Sequence, residues 1–240
     1  MIRHALLLVS VLAAATAQGG DLVFESKPAR THLIELFTSE GCSSCPPAEA
    51  WLNNLKNEPR LWQDFVPVAF HVDYWDHLGW RDPFASKTWT ERQADYSARW
   101  KSESVYTPAF VLDGVAWRNA ALPPAATETV GVLKITVSGE RVLAAFKSAT
   151  NAGRHYEIHL ARLGFGMGSD VTAGENSGRK LVHDFVVLGL TNEGMKSGVK
   201  ELRLPVASSQ PTANSRSALA AWVTRAGQIE PIQAVGGWLQ

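Results

Sequence analysis

The chain has 240 residues, is 45% hydrophobic and 19% charged, and carries 23 basic and 23 acidic residues. That is a globular composition, and it argues against long disorder, collagen and coiled coil. A zero formal net charge leaves no basic field for bulk binding to nucleic acid or to an anionic membrane.

The first segment reads as a targeting signal. Met1-Ile2-Arg3-His4 is a short basic start, and Ala5 to Ala15 is an apolar stretch too short to span a bilayer easily. Ala15-Thr16-Ala17 is a small-x-small cleavage site, so the expected cut follows Ala17. The expected mature protein is periplasmic or secreted, with no stable membrane insertion.

Thr31 to Phe37 reads as a buried strand, followed by a turn over Thr38 to Gly41. Cys42 and Ser43 stand where a helix would begin, because Pro46 and Pro47 fit only a first helical turn. The helix continues through Ala48 to Lys56, and Phe65 to Val72 is a second strand. Asp73 to Phe84 is an aromatic-rich loop, and Ser86 to Trp100 a polar helix. Ala109 to Leu112 and Val115 to Arg118 form a hairpin around Asp113-Gly114. Strand, helix, strand, helix and hairpin in that order predict an α/β sheet. Leu122 to Ala126 reads as a linker or a broken helix. Beyond it, apolar runs alternate with turns at roughly 130–138, 141–147, 155–164, 168–173, 181–190, 199–204, 216–224 and 229–237. Even spacing of short strands predicts an antiparallel sandwich.

The chain has only two cysteines, Cys42 and Cys45. A bridge across so short a loop gives little stability through loop entropy, so chemistry is a better reading than stapling. A thiol at a helix N-terminus meets unpaired N–H groups and the positive end of the dipole, both of which favour thiolate. Cys42 is therefore the expected exposed nucleophile, and Cys45, one turn on, the resolving thiol. An inert disulfide and half of a metal site are the other readings of a C-x-x-C. A zinc site needs two more ligands, and His32, His71 and His77 do not form a matching pair, so no metal is expected. Thr107-Pro108 precedes a strand, and a cis proline there would present a backbone edge to the sulfurs.

In motif order, Leu33 to Cys45 with Pro108 and the Asp113-Gly114 hairpin resembles the thioredoxin superfamily over roughly residues 30–120. More closely, the chain resembles exported bacterial thioredoxin-like proteins of domain-of-unknown-function family 1223. Glu35 to Pro46, His71 to Asp76, Leu78-Gly79-Trp80, Asp82-Pro83-Phe84, Thr90 to Gln93, Tyr106-Thr107-Pro108 and Gly174 to Arg179 carry that likeness. The resemblance implies a thioredoxin-like α/β domain followed by a β-rich, sandwich-like one. The boundaries expected are a signal peptide over 1–17, then domains over 18–122 and 123–240. It also implies Cys42 as nucleophile, Cys45 as resolving thiol and Pro108 as the substrate-groove proline. The buried Asp that thioredoxins place six residues before the first Cys is Leu36 here, which puts reductase chemistry by that route in doubt.

His71, Asp73, Trp75 and Thr107 are candidate tuning or groove residues. Glu40 reads as a solvated turn residue, and Arg92 and Gln93 as a solvated helix face. Glu175, Asn176, Arg179 and His183 read as a structural loop rather than a ligand site. His155 and His159 share a strand face about 13 Å apart, too far to share a metal. The expected activity is thiol–disulfide exchange on protein or small-molecule disulfides, with protein thiols or a membrane redox protein as partners. The cysteine pair carries the electrons, so no further cofactor is expected. The alternative is a non-enzymatic binding protein on the same fold with an inert disulfide.

Overall fold

The computed structural model describes residues 20–118, 121–150, 155–208 and 216–239. The expected signal peptide over 1–17 lies outside them. No helix among the described residues is long and apolar enough to cross a membrane.

The first strand, β1 (Leu22–Glu25), went unread in the sequence. It is followed by β2 (His32–Thr38), helix α1 (Pro46–Asn54), β3 (Phe65–His71), helix α2 (Lys87–Arg99), β4 (Ala109–Leu112) and β5 (Val115–Trp117). Next come β6 (Gly131–Ser138), β7 (Arg141–Ser148), β8 (Tyr156–Phe165), β9 (Met167–Asp170) and β10 (Lys180–His183). The chain ends with β11 (Val186–Met195), β12 (Val199–Arg203), β13 (Arg216–Arg225) and β14 (Pro231–Leu239). The apolar run at 181–190 is thus two strands, divided at Phe185, whose φ is 61°.

The expected α/β thioredoxin-like domain with a separate β-sandwich is not what forms. Among the described residues the molecule is mostly β, with 47% in strands and 14% helical, the latter mainly in two α-helices. Its spine is one eight-stranded sheet in the order β14-β13-β8-β11-β3-β2-β4-β5. β2 and β3 pair in parallel, β4 pairs antiparallel with β2, and β4 and β5 form the hairpin expected around Asp113-Gly114. On the other side of β3 the sheet continues into the second half of the chain. β11 joins β3 at Val186–Ala69, and Ala69 N–H donates to the Phe185 carbonyl at 2.8 Å. The division at residue 122 therefore marks no break in the sheet.

The reason lies in how β13 is buried. Ala218, Ala220 and Trp222 face one core, which they share with β2, β3 and the helices. The alternate residues Leu219, Ala221 and Val223 face a second core. There they meet Leu133, Ile135, Val142 and Ala144 of a four-stranded sheet, β1-β6-β7-β12. A strand that serves two cores must be apolar on both faces, and Ala218 to Val223 is apolar without interruption.

Candidate functional site

Helix α1 starts later than the spacing predicts. Cys45 is its N-cap, with Pro46 and Pro47 in the first turn. Cys42 lies in the preceding turn, where its N–H donates to Ser39 O. The two cysteines form a disulfide. Cys42 is 1% exposed and Cys45 fully buried, which corrects the expected exposed nucleophile, while Ser43 and Ser44 between them are exposed. The Cys42 sulfur sits 3.3 Å from the Ser44 hydroxyl.

The loop over Gly174 to Arg179 clasps this segment. Asn176 Nδ2 donates to Glu40 O at 2.8 Å and to Cys42 O at 2.9 Å, and the Arg179 guanidinium donates to Asn176 Oδ1 at 2.8 Å. The Ser43 N–H donates to Glu175 at 2.8 Å. That bond holds the exposed Glu175 carboxyl below the usual carboxylate range. What the loop supports is the cysteine turn, while His183, grouped with it in the sequence, lies apart at the end of β10. Asn176→Ala takes the donor from the buried Glu40 carbonyl and leaves the Cys42 carbonyl only the Cys45 N–H at 3.2 Å, which costs about 1–3 kcal/mol. The expected result is a lower urea midpoint and faster reduction of the disulfide by a small thiol. An unchanged reduction rate would remove the loop from control of the turn.

On the other side, Gly41 packs so tightly against Trp75 that an added Cβ would lie 2.8 Å from Trp75 Cβ. Trp75 Nε1 donates to the Thr107 hydroxyl at 2.8 Å, and the Thr107–Pro108 peptide bond is cis. Gln93, on α2, donates to the Tyr106 carbonyl at 2.7 Å, so it is buried and not on a solvated face. Pro108 and Tyr106 line a groove of about 560 Å³ with Pro47, Ala48, Trp51 and Phe110. The structure thus gathers Trp75, Thr107 and Pro108 around the start of α1. Asp73 is placed elsewhere: its carboxylate accepts from the Thr90 hydroxyl at 2.6 Å and ties the loop to α2.

Beneath the cysteine turn is a buried polar cluster that the sequence reading missed. Glu40, read as a solvated residue, is fully buried. It accepts from Trp80 Nε1 at 2.8 Å and faces His183 Nε2 at 2.9 Å. Glu49, on α1, accepts from the Thr38 hydroxyl at 2.5 Å and lies 3.0 Å from His183 Nδ1. His71 meets Asp82 through Nδ1 at 2.7 Å. Burial opposes protonation of His183, but its two carboxylate neighbours prevail and push its pKa up to about 10. Against the same opposing burial, His183 holds Glu49 below the ordinary carboxylate range, and His71 does so for Asp82. Glu49 alone carried a sequence signal, as an isolated ionisable group in the apolar stretch Pro46 to Leu52; Glu40 stands among Thr38, Ser39 and Ser43, and His183 beside Asp184.

A family model described as a protein of unknown function, DUF1223, matches residues 33–224. No curated protein matches. Among solved structures, the chain is similar to the crystal structure of protein AGR_C_4864 from Agrobacterium tumefaciens. The TM-score is 0.62 at 22% identity, covering 89% of this chain and 96% of that one. It is also similar to HBP35 of Porphyromonas gingivalis, with a TM-score of 0.57 at 11% identity, covering 89% and 76%. At these identities the likeness speaks for fold alone.

Proposed function

We propose, for a chain that belongs to the DUF1223 family of proteins of unknown function, that it is a thiol–disulfide oxidoreductase acting through Cys42 and Cys45. The observation that carries this reading is the disulfide at the N-terminus of α1 beside an apolar groove. A client segment seated against Trp51 and Phe110 would reach the turn from the Pro108 side. In the oxidised form a client thiolate attacks the Cys42 sulfur and the Cys42–Cys45 bond breaks. Cys45 leaves as thiolate and takes up a proton. A second client thiolate then attacks the mixed disulfide, which releases Cys42 and leaves the client oxidised by two electrons. The reverse sequence reduces a client disulfide, and the potential of the pair against its partner sets the direction. An exported location, where disulfides persist, belongs to the same proposal.

Burial of both sulfurs favours a second reading, an inert bridge in a binding protein. Equilibration in glutathione buffers, followed by Trp51 fluorescence, separates the two. The expected midpoint lies above about −230 mV, within reach of a glutathione pool. Alkylation of the reduced chain near pH 6 is expected to label Cys42, because a thiolate-prone thiol reacts there and an ordinary one hardly does. A midpoint below about −300 mV, with no labelling at pH 6, would establish the inert bridge.

A further inference from the structure

We propose that Glu49, His71 and His183 form a binding site for one divalent transition-metal ion, with Zn²⁺ as the fitting species. The three residues come from α1, the end of β3 and the end of β10, and one ligand atom of each lies within 4.8 Å of the other two. All three side chains are buried.

Each imidazole is already oriented through its other nitrogen. His71 Nδ1 is held by Asp82 at 2.7 Å and His183 Nε2 by Glu40 at 2.9 Å. A carboxylate behind the imidazole fixes the ring and its tautomer, and this is the outer shell that metal-binding histidines have. The nitrogens left over, His71 Nε2 and His183 Nδ1, are buried and have no hydrogen-bond partner. Glu49 lies near His183 Nδ1 without the alignment of a hydrogen bond. Buried polar atoms are normally satisfied, and among the described residues two of the buried nitrogens without a partner belong to this ligand set, the others being Trp62 Nε1, Arg162 Nε and Trp222 Nε1 elsewhere.

The supporting carboxylates are held as well. Asp82 accepts from the Glu40 N–H at 2.9 Å and the Phe84 N–H at 2.9 Å, and Glu40 accepts from Trp80. Charge points the same way. Three buried carboxylates need positive charge, and two imidazolium rings with centroids 4.9 Å apart would repel each other. One dication supplies the same charge at one point and uses both nitrogen lone pairs. Two imidazoles and a carboxylate suit Zn²⁺ and leave a fourth position open. The ion would fasten α1 to β3 and β10, independently of any exchange at the cysteines.

The test is a titration of the untagged, chelator-treated full chain with ZnCl₂, with the disulfide kept oxidised so that no thiol contributes. Calorimetry and metal analysis after dialysis are expected to give one Zn²⁺ per chain. Co²⁺ in its place is expected to show the visible bands of a low-coordinate site. His71→Asn is expected to weaken binding at least a hundredfold, and Asp82→Asn about 10–100-fold, with far-ultraviolet circular dichroism confirming folded variants. Failure of the folded wild-type chain to take up one Zn²⁺ overturns the proposal whatever the variants do. So does binding that His71→Asn and His183→Asn leave unchanged.

Discussion

Replacing Glu35 with alanine is expected to cost about 3–5 kcal/mol of folding stability, the range found when one partner of a buried ion pair is removed. Glu35 is fully buried in β2. Its carboxylate accepts from Arg92 at 2.7 Å and from the Tyr96 hydroxyl, both on α2. The Arg92 guanidinium lies over the rings of Phe70, Tyr96 and Trp222, 5.2 to 5.4 Å from their centroids. Those ring faces attract a cation, but they do not replace a carboxylate at contact. Without Glu35 the charge stays buried and uncompensated, and the penalty falls on the contact between α2 and the sheet. Urea denaturation is expected to show a lower midpoint with an unchanged slope. The double substitution Glu35→Leu with Arg92→Met is expected to recover most of the loss, because it removes both charges. A cost below about 1 kcal/mol for Glu35→Ala would mean that the pair contributes nothing to this contact.

The second large effect is expected in acid. His159 stacks on Trp222 with ring centroids 5.2 Å apart, and its nitrogens meet Asn192 at 2.8 Å and Thr224 at 3.0 Å. Burial, reinforced by the positive charge of Arg92, pushes its pKa down to about 4. In the unfolded chain it titrates near 6.5. Between those values the unfolded state binds a proton that the folded state refuses. His159 therefore stabilises fully above about pH 6.5, and that contribution drains away as pH falls towards 4. A gap of this size corresponds to about 3 kcal/mol. Carboxylates also titrate at the lower end, so the informative quantity is the difference between the wild type and His159→Gln. The variant is expected to lose about 3 kcal/mol less between pH 7 and pH 4 in urea titrations. Parallel curves for the two proteins would show that His159 keeps its proton in the fold.

Much of the secondary structure was legible. Proline at 46 and 47, the Asp113-Gly114 turn and the alternating runs near 130–147 fall at the elements they predict. Such signals are local, since they arise from dihedral preferences and from which face of a strand is apolar. Strand partnership is not local. β11 lies against β3 because both are apolar segments with a free edge, and nothing within either names the other. The misjudged charges share this origin. Read singly, Glu40 and Arg92 belong in solvent, and each is drawn inward only because its partner arrives from a distant element. The same limit hid the cluster of Glu49, His71 and His183. The cysteine pair was legible because its spacing is short, but the side chain that clasps its turn, Asn176, comes from far along the chain.

The position of β3 within the large sheet also bears on how the protein is made. Every residue from Phe65 to His71 is buried, and β3 has β2 on one side and β11 on the other. β11 begins at Val186. During synthesis at about 5–20 residues per second, the chain needs roughly 6–20 s to travel from His71 to Val186. Throughout that interval the open edge of β3 is apolar and ready to pair with another nascent chain. Pairings this distant in sequence also make for slow folding. An edge of this kind avoids such mispairing only while the chain stays unfolded or is held until β11 has been added.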